Sequence, residues 1–175
     1  TYEDYTADIR SGVKGMKIGI PSQFFGDGIS DDVKKAVLAA AETYRTMGAE
    51  LVSVSMPSID YALSAYYVIS SAEASSNLAR FDGIRYGYRC DGYDDIDEFY
   101  KKNRSEGFGT EVKKRIMLGT FALSAGYYDA YYKKAQKVRT VIKSAYNELF
   151  DKYDVILTPT APTTAFKIGE KSNNP

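Results

Sequence analysis

Histidine is absent from all 175 residues. That removes Ser-His-Asp and Cys-His catalysis within this chain, together with most catalytic zinc sites. Cysteine is almost absent too. Cys90 stands alone, so no internal disulfide can form, and a reducing, cytoplasmic setting fits better than secretion. Charge of one sign is not in excess: 23 bases meet 23 acids, and no overall field favours nucleic acid or an anionic membrane. No apolar run approaches the roughly 20 residues that span a bilayer, so no membrane partner is expected. No signal peptide opens the chain, and residue 1 is Thr rather than Met; the expectation is a chain that begins partway along a longer protein.

What is present is ordinary in bulk and unusual in detail. Apolar residues make up 44% and charged residues 26%, the balance of a water-exposed globular fold. The length suits one compact domain or part of a larger one. There are sixteen tyrosines and no tryptophan. Tyrosine combines an apolar ring with a hydroxyl tip, which suits half-buried walls and substrate pockets.

The pattern along the chain is α/β. Met16 to Ile20, MKIGI, reads as a strand between Gly15 and Pro21. After the loop PSQFFGDGISDD, Ser30 is the expected N-cap, with Asp31 and Asp32 in the first helical turn. Val33, Val37, Ala40, Ala41 and Tyr44 follow helical spacing to Met47, and Gly48 is the expected stop. Glu50 to Met56 reads as a second strand, and a right-handed crossover makes it parallel to the first. The intervening loop has neither GxGxxG nor GK[ST], so nucleotide binding there is unsupported. A helix is expected from Ser58 to about Phe81, with an exit at Asp82-Gly83. Residues 85–106 read as loop with a short helix within 96–103. Further helices are expected over 106–125 and 127–152, broken at Gly126. Asp154 to Leu157, DVIL, reads as a third strand, closed by Pro159 and Pro162. Three short strands against about four helices imply either a small α/β domain or a slice of a larger sheet.

Several clusters invite a chemical reading. Ser70-Ser71 and Ser75-Ser76 lie on a predicted helix without the glycine-rich turn that a nucleophilic serine uses. They read as small residues for close helix packing. Tyr66 and Tyr67 point about 100° apart on a helix. Tyr67 shares a row with Leu63, Ala74 and Leu78 and reads as core. Tyr66 shares one with Ser70, Glu73 and Asn77, where its hydroxyl is either available to a ligand or a plain surface group. Arg115 shares a row with Glu111, Leu118 and Ala122. It reads either as a half-buried clamp for a carboxylate or, more simply, as half of an i,i+4 pair with Glu111. Lys133, Lys134, Lys137, Arg139 and Lys143 read as a solvated basic stripe, with RNA phosphate contact the minority alternative. The acidic loop DGYDDIDE lacks the EF-hand spacing of ligands, and no metal site is expected.

Longer strings carry a resemblance. EASSNLARFDGIRYGYR, SEGFGTEVKKRIMLGTFALSAGYYDAYYKKAQKVR and DVILTPTAPTTAF resemble the amidase signature family, and within it the A subunits of glutamyl-tRNA(Gln) amidotransferases. The likeness runs from VKGMKIGIP to the C-terminus. It implies an amidase-signature α/β fold, a sheet with few mixed or parallel strands covered by several helices. It implies hydrolysis of the side-chain amide of glutamine through an acyl-enzyme, with release of ammonia. It also implies partner B and C subunits: B uses ATP and Mg to activate glutamate on misacylated tRNA and receives the ammonia, and C holds the assembly together. No cofactor is implied for this chain itself.

The family's Ser-Ser-Lys machinery needs no histidine. Its glycine- and serine-rich segment has no match here, so no catalytic residue is expected within residues 1–175. The expectation is a partial amidase-signature domain, lacking the triad region and the C-terminal end and inactive alone. What the resemblance carries over is a substrate wall. The tyrosine of the family's AYY string matches Tyr66, and the arginine before isoleucine in its KRRI-like string matches Arg115, with Lys114 at the preceding position. By that resemblance Tyr66 bonds the bound glutamine or the reaction centre, and Arg115 clamps its α-carboxylate. Two other readings stand beside this one: a non-catalytic module that docks the B and C subunits, and a piece of another small-amide amidase.

Overall fold

A computed structural model describes residues 2–171. They form two compact units, the first comprising the chain up to Asp60 and from Lys143 onward, the second Tyr61–Ile142.

The first unit is built on a three-stranded parallel sheet in the order β2-β1-β3. Strand β1 (Lys17–Pro21) is central. Helix α1 (Asp31–Thr46) leads to β2 (Glu50–Val54), which pairs with β1 in the register Ile18 to Leu51 and Ile20 to Ser53. The short β3 (Val155–Ile156) lies on the other side of β1. Gly19 permits that approach, because a Cβ there would stand 2.9 Å from Ile156 Cδ1 and 3.3 Å from the Tyr153 ring. The Lys17 amide donates to Asp154 Oδ2 at 2.7 Å and fixes the start of the pairing. Ile18, Ala41, Val54 and Met56 form the buried centre.

Helix α1 stops as its glycine predicts. Gly48 adopts φ +98°, and the amides of Gly48 and Ala49 donate back to Arg45 O and Tyr44 O. This is the paired bonding of a Schellman motif. Its start differs from expectation. Ser30 occupies the N-cap position with extended backbone, yet its hydroxyl makes no capping bond. Its amide instead donates to Pro162 O at 2.8 Å, so the cap residue serves to anchor the loop after β3.

The second unit is helical. A 3₁₀ turn (Pro57–Tyr61) precedes α2 (Ala62–Leu78), in place of one continuous helix from Ser58. Helix α3 (Ile96–Gly107) is longer than its sequence signal, and α4 (Thr110–Leu123) is separate from it. The break falls at Phe108 and Gly109, both extended. Asp95 caps α3 by accepting from the Glu98 amide, while Glu98 accepts from the Asp94 amide, each at 2.8 Å. These bonds commit Asp95 and Glu98 of the acidic loop to local capping. Gly126, at φ +88°, ends the α4 region. The helix expected from Tyr127 opens instead with a π-helical turn (Tyr128–Lys133) before α5 (Lys134–Phe150), whose residues from Lys143 onward belong to the first unit.

Phe99 and Asn103 of α3 and Cys90 of the loop before it are buried. Asn103 Oδ1 accepts from the Cys90 amide at 2.7 Å, and Gly83 lies flat over the Asn103 amide, where a Cβ would come within 2.6 Å. Cys90 is thus a packing residue. Among the described residues no helix is long and apolar enough to cross a membrane.

Candidate substrate-binding site

Helices α2 and α4 pack against each other along their length, and small residues make this possible. Gly119 sits directly over the α2 backbone, where a Cβ would fall 1.9 Å from Ser71 O and 2.7 Å from Ser75 Cβ. Ser71 and Ala72 are buried in the contact, and Ser75 Oγ shares a 2.9 Å hydrogen bond with Thr120 Oγ1. Ser71 and Ser75 therefore serve in helix packing, and neither stands at a strained, glycine-rich turn of the kind used by serine nucleophiles.

This close crossing brings Tyr66 of α2 beside Arg115 of α4. The nearby Tyr66 phenol is the first cause holding the Arg115 pKa above its ordinary value. Glu111, one turn earlier on α4, is the second cause. Its Oε1 accepts from Arg115 Nε at 3.1 Å. Partial burial works the other way: the Arg115 side chain keeps 34% exposure and Glu111 54%. The guanidinium has five N–H donors in a planar fork. With Nε turned to Glu111, the end-on pair of Nη nitrogens is the bidentate edge that Glu111 leaves unoccupied.

Tyr66 is not the only exposed aromatic here. Tyr67, whose helical row with Leu63 reads as core, is exposed, and so is Leu63, at 53% and 64%. The reason is geometric: α4 approaches α2 on the serine and alanine side, so the bulky residues are left outside. The Tyr66 and Tyr67 rings touch with centroids 5.5 Å apart. Tyr67 in turn lines an apolar groove of about 300 Å³ together with Val68, Leu118, Phe121, Ala122 and Tyr131. Apolar spacing does not reveal this groove. Its one signal in the sequence is Gly119 inside an otherwise good helix, which marks a close backbone approach.

The remaining candidates stay apart from this place or are engaged locally. Lys133 pairs with Asp129 at 2.7 Å and lies over the Tyr128 ring. Within α5, Lys134 lies on the opposite side from Arg139 and Lys143 at 100° per residue, so the basic run is not one stripe. No group of three or more acidic, cysteine or histidine side chains is placed to hold a metal among the described residues.

The whole chain, residues 1–175, matches the family model described as Amidase. It is 58% identical over 172 residues to the A subunit of the glutamyl-tRNA(Gln) amidotransferase of Bacillus velezensis, covering 98% of this chain and 36% of that protein. The corresponding A subunit of Caldanaerobacter subterraneus subsp. tengcongensis is 57% identical, with 98% and 35% covered. The crystal structure of the glutamyl-tRNA(Gln) amidotransferase A subunit from Thermotoga maritima is similar with a TM-score of 0.68 and 39% identity, covering 99% of this chain and 33% of that one. The chain thus spans about a third of the length of the relatives it matches. With a family model matched from end to end and an α/β fold shared with that structure, this chain belongs to the amidase family.

Proposed function

We propose that this chain is the substrate-orienting part of the glutaminase subunit of a tRNA-dependent amidotransferase. In this reading the complete protein hydrolyses glutamine and passes ammonia to a B subunit, which uses ATP and Mg on glutamate-charged tRNA, with a C subunit joining the two in the cytoplasm. The observation that carries it is the close α2–α4 crossing at Gly119, which brings the helix of Tyr66 against the helix of Arg115, where Glu111 Oε1 holds the guanidinium Nε at 3.1 Å. The open Nη edge suits the α-carboxylate of an amino acid, because a guanidinium binds a carboxylate in a bidentate fork. The Tyr66 hydroxyl beside it supplies a second polar contact. The attacking group comes from elsewhere in the protein, since Ser71 and Ser75 of α2 are committed to packing and no serine of that helix lies in a glycine-rich turn.

The test is Arg115→Lys in the complete protein, assayed by ammonia release from glutamine. A lysine keeps the charge and loses the fork. KM for glutamine rises about tenfold or more, with a smaller change in kcat. An unchanged KM overturns the proposal. The isolated chain releases no ammonia.

A second reading, a docking module for the B and C subunits, is favoured by one feature. Met117, Leu118 and Phe121 form an exposed apolar row at 74%, 60% and 47% on α4, more than a free surface usually carries in one place. Retention of the purified B and C subunits by this chain alone would support it.

A further inference from the structure

We infer that Glu111 is a positioning residue for the ligand-binding guanidinium, fixing the edge from which Arg115 receives a carboxylate. The inference rests on the reading of Arg115 given above and goes one step beyond it. A guanidinium offers a carboxylate two bidentate edges: the pair of Nη nitrogens, or Nε with one Nη. Glu111 Oε1 already accepts from Nε at 3.1 Å, which closes the second edge. Tyr66 comes from the facing helix and approaches the same guanidinium. The Glu111 bond, with Tyr66 of α2 alongside, thus restrains a side chain that otherwise has four freely turning torsions. An incoming carboxylate meets a preset end-on fork, and the rotamer entropy of Arg115 is lost on folding instead of on binding.

Glu111 also carries a charge like that of the ligand. Its Nε contact turns that charge to the side of the guanidinium away from the open fork, so the repulsion on the ligand is weaker than the attraction of the nearer Nη groups. Loss of the carboxylate therefore lowers affinity through disorder of Arg115, even though it removes a negative charge. This sign separates positioning from simple electrostatics, under which the same change would tighten binding.

The experiment uses the complete protein with two amides, glutamine and its α-carboxamide analogue, which lacks the α-carboxylate. The wild-type preference for glutamine, as the ratio of kcat/KM values, measures the carboxylate contact. In Glu111→Ala, KM for glutamine rises about three- to fivefold. The values for the analogue and kcat stay within about twofold, so the preference falls by the same factor. Glu111→Gln keeps an acceptor for Nε and restores most of the preference. A preference unchanged or increased in Glu111→Ala overturns the inference. Arg115→Met serves as the control on the underlying reading: if it leaves the preference intact, Arg115 does not bind the carboxylate, and the Glu111 inference falls with it. If Arg115→Met abolishes the preference and Glu111→Ala does not lower it, only the role of Glu111 is refuted. Far-ultraviolet circular dichroism of each variant separates a folding defect from a binding one.

Discussion

The two units bury opposite kinds of residue. In the first, burial follows hydrophobicity: Ile18, Val54 and Met56 are inside, and Met56 keeps only 1% of its surface exposed. In the α2–α4 pair of the second, burial follows size. Ala65, Ser71, Ala72, Gly119 and Ala122 are inside, while Leu63, Tyr66, Tyr67, Met117 and Leu118 are outside. A sheet needs apolar volume to fill the space beneath it. Two helices in backbone contact need the reverse, because any side chain at the crossing forces them apart. The consequence for function is direct. Packing on the small-residue side leaves the tyrosines on open surface and the arginine partly exposed, where a ligand or another polypeptide can reach them.

The most damaging way to test this contrast is a single methyl group at Gly119. In an ordinary helix Gly→Ala stabilises by about 0.5–1 kcal/mol. At position 119 the added Cβ would stand 1.9 Å from a backbone oxygen of α2, which cannot turn aside as a flexible side chain would. Gly119→Ala should therefore destabilise by about 2–3 kcal/mol, with the sign reversed from the helix norm. Denaturant unfolding of the chain measures it. A stabilised variant would show that the helices do not approach so closely.

A smaller effect is expected from truncating large apolar residues, and it should differ between the units. Met56→Ala, in the sheet unit, removes a buried side chain and should cost about 2 kcal/mol. Leu118→Ala, on the open face of α4, should cost less than about 0.5 kcal/mol. Equal losses at the two positions would erase the contrast.

This difference also explains what could be read from the sequence. The β1–α1–β2 crossover was legible because each element carries its own signal: alternating apolar residues in the strands, helical spacing between them, and Gly48 at the one position that requires positive φ. The strand order was not legible, since nothing local in DVIL states which edge of β1 it joins. Helix α2 defeated the reading of burial, because apolar residues lie on every side of it and periodicity alone cannot choose a face. Its partner chose the face, through Gly119. The division between α3 and α4 was expected a few residues too early, although Gly107 and Gly109 mark it, and the π-helical turn after Gly126 has no counterpart in apolar spacing. Arg115 shows the limit most clearly. Its sequence row permitted both a local pair with Glu111 and a ligand clamp, and the structure contains the local pair together with a contact to Tyr66 that no intrahelical rule supplies.

The smallest expected effect concerns the surface end of α3, where polar pairing replaces apolar burial altogether. Tyr88 donates its phenol proton to Glu106 Oε2 at 2.7 Å. Gly107 makes room, since a Cβ there would press on Tyr88 Cβ at 3.1 Å. The bond to Glu106 is the first cause raising the Tyr88 pKa, followed by partial desolvation and the nearby negative charge. All three disfavour the phenolate. The stabilisation from this bond is fully present below the unfolded tyrosine value of about 10 and is lost as pH rises through the higher folded value. Phenolate absorbance, compared between the wild type and Tyr88→Phe, isolates this one titration from the other fifteen tyrosines. Glu106→Gln keeps an acceptor but removes the charge, so the isolated titration should move down toward the ordinary value. If it does not move, the carboxylate is not what holds the proton on Tyr88, and the polar clasp at the end of α3 is a surface contact without electrostatic weight.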